Sequence, residues 1–272
     1  MFKQFQAELF TKISKHYDQF GPQVFSSFGK TLAEIAEIKE GFSVLDIGCG
    51  RGASLIPAAK LVGTSGKVVG IDIAEGMITE LKKELEIMEI KNIELFADDA
   101  ETFEFKEKFD VVLAGFSVSA FSNLRKIFKK FKELLKPKGR VAISNWDKFA
   151  HEGWEWMAKA IREHISIKTR TNAVTEEYQL DTALKMELFF KDMGLKNIKI
   201  STFEKLFYYK NELEWWESSF NSGMRGIFDK MDNKSLESLK KKLFKELSKI
   251  KTCDGIPYPA KAIFGTAQKP NA

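Results

Sequence analysis

Asp46, Gly48, Gly50 and Gly52 fall at alternate positions in Val44-Leu45-Asp46-Ile47-Gly48-Cys49-Gly50-Arg51-Gly52, the end of an apolar run. Glycines there let the backbone turn tightly and let a ligand approach the main chain. Residues 53–61 read as a helix, whose amino terminus would offer free N–H groups and positive potential to that ligand. Strand, glycine turn and helix in this order hold a nucleotide-like cofactor. A second apolar run, 67–72, ends in Asp72. One carboxylate at a strand end matches the two vicinal hydroxyls of a ribose.

The turn alone leaves the cofactor open, because Gly48, Gly50 and Ala53 also satisfy the dinucleotide fingerprint. Three details favour an adenosyl cofactor over a nicotinamide one. Asp46 would repel a buried pyrophosphate and attract a cationic methionyl group. A third strand, 93–97, runs into Asp98-Asp99-Ala100-Glu101. A fourth, 109–116, and a turn with a fifth, 136–144, complete an alternating series.

In this order of motifs the chain resembles the class I S-adenosylmethionine (SAM)-dependent methyltransferases. It is most similar to the small-molecule branch that includes the ubiquinone/menaquinone-biosynthesis type. The resemblance rests on residues 45–52, 70–77, 99–101, 109–113 and 135–141. Two positions depart from the pattern: Asp98 stands where Gly-Asp-Ala begins, and Pro137-Lys138-Gly139 replaces Pro-Gly-Gly. The resemblance implies a Rossmann-like seven-stranded α/β sheet, mostly parallel with an antiparallel last strand and helices on both faces. It also implies SAM as methyl donor, S-adenosylhomocysteine (SAH) as product, and a small organic acceptor methylated on O, N or C.

Site assignments follow. Asp72 takes the ribose hydroxyls, Gly48, Cys49 and Gly50 line the methionyl side through their backbone, and Asp46 orients the ammonium group. The resemblance gives Asp99 to the adenine amino group, with Asp98 as its rival, and the Ala100 N–H to the ring. Ile73 and Met77 sandwich the adenine. Gly115 and Phe116, at the mouth of the fourth strand, lie between cofactor and acceptor. Tyr17, in His16-Tyr17-Asp18, resembles an amino-terminal element that folds over the cofactor; His16 is the nearest thing to a general base. Trp146, Trp154 and Trp216 are the aromatic candidates for a flat or apolar acceptor.

The elements that must position these residues divide the chain into a helical cap (1–40), a cofactor-binding core (41–145), a variable acceptor segment (146–194) and a terminal strand pair (195–203 and 260–267) around a helical insert (211–250). With 272 residues, 44% of them hydrophobic, there is material for one large elaborated domain. Lys+Arg total 43 against 38 Asp+Glu, a net charge of +5 too mild to indicate nucleic acid. Lysines on 125–138 and 240–242 alternate with apolar positions as solvated helix faces do. Two cysteines, Cys49 and Cys253, fit neither a disulfide framework nor a metal site. No signal core or membrane-length apolar run is present, so a cytoplasmic monomer or homodimer is expected. Two readings stay beside the small-molecule enzyme: an RNA or protein methyltransferase, and a non-catalytic protein that keeps the cofactor fold.

Overall fold

The computed structural model describes residues 2–165 and 179–270. Its centre is one seven-stranded sheet of order β3-β2-β1-β4-β5-β7-β6. The strands are β1 (Ser43–Ile47), β2 (Lys67–Asp72), β3 (Ile93–Ala97), β4 (Phe109–Gly115), β5 (Leu135–Trp146), β6 (Lys196–Tyr209) and β7 (Ile256–Gln268). The first five pair in parallel, and β7 runs antiparallel to both β5 and β6. This is the sheet the resemblance implies. Its order reverses between β1 and β4, where an open sheet leaves a crevice beyond the strand ends.

Central strands are apolar on both sides because helices cover both faces. Successive residues of β1 show it. Leu45 and Ile47 join the core formed with α5 (Leu124–Leu134) and α7 (Ala183–Asp192). Val44 joins the opposite core, formed with α2 (Val24–Ile35), α3 (Leu55–Val62) and α4 (Glu75–Ile87). The first helix, α1 (Phe2–Ile13), packs on the start of α4 through Leu9, Ile13, Ala74 and Met77.

Three boundaries differ from expectation. The anticipated turn at 136–139 lies inside β5, as an irregularity where pairing shifts from Phe109↔Leu135 to Val111↔Arg140; Lys138 takes a left-handed φ of 62°. The terminal strands are longer than 195–203 and 260–267: Ile256 to Lys261 of β7 pair with β6 alone, as a ribbon beyond β5. Pro257 and Pro259 disguised it. Proline is tolerated where no ladder needs its missing N–H, and Lys261, of the same parity, turns its N–H away from β6 to the Ala150 carbonyl (3.1 Å). The insert is three helices, α8 (Glu212–Phe220), α9 (Arg225–Phe228) and α10 (Asn233–Ile250). With α6 (Glu155–His164) they close a third core on the ribbon, around Tyr209, Trp215, Leu243 and Ile256. The middle of the expected acceptor segment, 166–178, lies outside the described residues.

Candidate active site

A cavity of about 680 Å³ opens at the carboxyl ends of β1, β2 and β4. Its floor is the glycine turn. Gly48 and Cys49 donate N–H bonds to the Ile71 carbonyl at 2.8 and 3.1 Å, fastening the turn to β2. Gly48, Gly50 and Gly52 all have positive φ, and a side chain at Gly48 would meet the Ser117 Cβ at 2.4 Å. A side chain at Gly50 would instead project into open space, the position a ligand takes when it lies against bare backbone.

Asp72 closes this floor. One carboxylate oxygen accepts the Gly50 N–H at 2.8 Å and the other the Ala74 N–H at 2.9 Å, so the strand-end acid is oriented by the turn it serves. Each oxygen keeps a lone pair for a hydroxyl donor. Burial raises the Asp72 carboxyl above its ordinary range, and the two N–H bonds oppose that rise.

Asp46 lies under the floor, fully buried, and is not among the cavity-lining residues. Its Oδ2 accepts the Ser54 hydroxyl at 2.7 Å; its Oδ1 has no partner among the described residues. Burial, with some help from Asp72, pushes its carboxyl up to about 7 against the Ser54 bond. A cation brought near that oxygen would favour the ionised form and lower the carboxyl again. The same burial and carboxylates push the Cys49 thiol up, so it stays protonated and unreactive.

At one end of the cavity stand Ile73, Met77, Asp98, Asp99 and Ala100. Asp99 Oδ1 accepts the Glu101 N–H at 2.9 Å, and its Oδ2 pairs with Lys3 at 2.6 Å; Lys3 also reaches Glu101 at 2.9 Å. At the other end Phe116 and Trp146 stand with ring centroids 4.6 Å apart, and Phe25 meets both, at 5.4 and 5.8 Å. Phe116 adopts φ 52°, rare for a residue with a side chain, and its N–H is held by the Ser144 carbonyl at 3.0 Å. Such strain persists where the surroundings enforce it and clusters at working sites. Tyr17 stacks on Phe25 at 5.3 Å; burial, then Asp18 and Asp72, raise its phenol, which remains a hydrogen-bond donor.

The expected residues therefore separate. Tyr17, Gly48, Cys49, Gly50, Asp72, Ile73, Met77, Asp99, Ala100, Gly115, Phe116 and Trp146 line one cavity, with Asp46 beneath it. His16 does not line it; it is exposed, its ring against Phe20 at 5.4 Å. Trp154 and Trp216 do not line it either. Trp154, 4% exposed, packs on Trp215 and Tyr258, and Trp216, 5% exposed, packs against both Phe220 and Phe228. Their apolar area is spent on the core of the insert. Lys3, Phe25, Arg51, Ser54 and Ser117 belong to the site and were not singled out. They reach it through contacts distant in sequence, as in the Ser117 hydroxyl that donates to the Ile47 carbonyl at 2.7 Å. Arg51 and Ser54, beside the glycines, were the two with a local signal.

The residues fit an adenosyl cofactor: bare glycine backbone, an oriented strand-end carboxylate, a second acid at the next strand end, and a buried carboxylate oxygen lacking a donor among the described residues. Comparisons with known proteins agree. A family described as "Methyltransferase domain" matches residues 38–215. Aklanonic acid methyltransferase DauC of Streptomyces sp. (strain C5) is 33% identical over 211 residues, 74% of this chain and 96% of that protein. Demethylmenaquinone methyltransferase of Bacillus cereus (strain ATCC 10987 / NRS 248) is 32% identical over 139 residues, 49% of this chain and 59% of its own length. A SAM-dependent methyltransferase structure from Aquifex aeolicus shares the fold, with a TM-score of 0.51 at 22% identity over 71% of this chain and 89% of that one. A family match over more than half the chain, and a relative aligned over almost its whole length, place this chain among the class I SAM-dependent methyltransferases.

Proposed function

We propose that the protein methylates a small organic acceptor with a flat, apolar face. One observation carries this reading: the cavity is continuous from Asp72 and Asp99 to the aromatic wall of Phe25, Phe116 and Trp146. Donor and acceptor ends thus share one space. The names of the two relatives, an acid methyltransferase and a menaquinone-type methyltransferase, support an organic acceptor.

The cofactor supplies an electrophilic methyl on a sulfonium for in-line displacement. Asp72 would hold the ribose, and Asp99 with the Ala100 N–H would hold the adenine between Ile73 and Met77. Asp46, through Ser54 or a water, would balance cationic charge above the glycine turn. Phe116 would separate cofactor from acceptor, its ring face favourable to positive charge. Tyr17, protonated, would donate a hydrogen bond. Orientation in such a site supplies several kcal/mol, up to roughly 7–11 in model reactions. Among the described residues no helix is long and apolar enough to cross a membrane, and the reading requires no partner beyond a small molecule.

Calorimetric titration with SAM, SAH and NADH tests the cofactor assignment. Micromolar binding of the adenosyl pair without NADH is expected, and a screen of flat aromatic acids and hydroxyquinones with labelled SAM follows. NADH binding without SAH would overturn the reading.

A further inference from the structure

We propose that Arg51 is a positioning residue that, from inside the glycine turn, holds the amino-terminal wall of the cavity in place. The inference rests on the reading of this cavity as a SAM site. Residues between Lys3 and Ser26 form one side of the cavity, and the glycine turn forms its floor. They are far apart in sequence, and something must keep them in register.

The Arg51 side chain is 9% exposed. Its Nη1 donates to the carbonyls of Ser14 and Lys15 at 2.6 and 3.1 Å. These carbonyls follow the last residue of α1, where a helix leaves unpaired acceptors and negative potential. Its Nη2 pairs with Glu84 of α4, the helix on which α1 packs. Its charge also favours the ionised form of Asp18 against the burial that opposes it. That carboxylate accepts from the N–H groups of Phe25 and Ser26, at 3.3 and 2.7 Å, and from the Ser26 hydroxyl at 2.7 Å. The end of α1 and the side of α4 therefore converge on one guanidinium anchored between Gly50 and Gly52, and its charge acts on the Asp18 carboxylate that holds the start of α2. A lysine carries the charge but cannot present the fork that reaches two carbonyls and a carboxylate together.

If Arg51 pre-organises this wall, its loss lets a bound cofactor leave faster, because ordering the segment is then charged against binding. The test is Arg51→Gln beside Arg51→Lys, read by amide hydrogen exchange of the ligand-free protein and by SAH association and dissociation rates. The expected result for Arg51→Gln has three parts: exchange over residues 2–26 at least about tenfold faster, β1 and β4 as protected as in wild type, and SAH affinity about ten- to hundredfold weaker, mostly through dissociation. Arg51→Lys, which also covers a Gln variant that fails to fold, should fall between. Unchanged exchange over 2–26 overturns the proposal, as does faster exchange spread evenly through the sheet, or a loosened segment with wild-type SAH affinity. A wild-type protein that binds no SAH overturns the cofactor reading instead; the exchange of 2–26 then still decides whether Arg51 holds the segment.

Discussion

Two aspartates at the ends of neighbouring strands do different work because their surroundings differ. Asp72 reaches the cavity with both oxygens oriented by backbone N–H groups, whereas Asp46 is sealed beneath it with one oxygen unpaired among the described residues. Removing the Asp72 charge withdraws hydrogen bonds to a charged acceptor, worth about 1.5–3 kcal/mol. Asp72→Asn should therefore weaken SAH binding about ten- to hundredfold in calorimetry; unchanged affinity would remove the ribose role. Asp46 predicts a pH dependence of stability. Its carboxyl sits at about 7 in the folded protein and at roughly 3.9 when unfolded. Between those values the folded state binds the extra proton, so stability falls as pH rises, and the loss is complete above about 7. Wild type should lose thermal stability relative to Asp46→Asn between pH 5 and pH 8. Parallel melting curves for the two proteins would refute this assignment.

At the scale of elements, α2 and the glycine turn approach each other more closely than a side chain permits. Gly29, in the middle of α2, faces Ala53, whose carbonyl carbon and oxygen would lie 2.4 Å from an added Cβ. Glycine within a helix costs roughly 0.5–1 kcal/mol relative to alanine. Here contact outweighs propensity, because the clash is with backbone that cannot rotate away. Gly29→Ala should destabilise by about 1–3 kcal/mol in urea, with weakened SAH binding as the turn is displaced. A stabilised variant would show that the close approach is not maintained in solution. The terminal ribbon teaches a related lesson. Strand signals in 256–261 were masked by two prolines, and those prolines are compatible with pairing because β7 pairs with β6 alone there and their missing N–H groups fall on its other side.

Among the described residues three large cores stand out, one on each sheet face and one where the insert closes on the ribbon, beside a small cluster between α1 and α4. This division reassigns the tryptophans. Trp146 meets the cavity because β5 ends there, while Trp154 and Trp216 hold the third core together. Trp216→Ala should cost about 3–5 kcal/mol of stability, seen as a lower midpoint in thermal melts. SAH affinity in the variant should stay at the wild-type level; a selective loss of binding with an unchanged melt would return Trp216 to the site.

Much of the cofactor end was legible in the amino-acid sequence because it depends on local order. A strand, three alternate glycines and a helix must produce a turn with exposed backbone, and an acid at a parallel strand's end must point into the crevice beyond the sheet. Asp72, Gly48, Gly50, Asp99 and Phe116 were visible for that reason. Alternating apolar runs likewise determined the sheet, since both of its faces have to be covered. The acceptor end was legible only in part: Phe116 and Trp146 line the cavity, whereas Trp154 and Trp216 do not. Whether a tryptophan lines a cavity or fills a core depends on which helix lies across from it, and Trp146 and Trp216 look alike in sequence. Lys3 meets Asp99 across 96 residues, and Arg51 meets Ser14 across 37. No periodicity encodes such pairs; they exist only once α1 has docked on α4. Tertiary packing thus decided which side chains complete the cavity, because those contacts are set by the docking of whole elements.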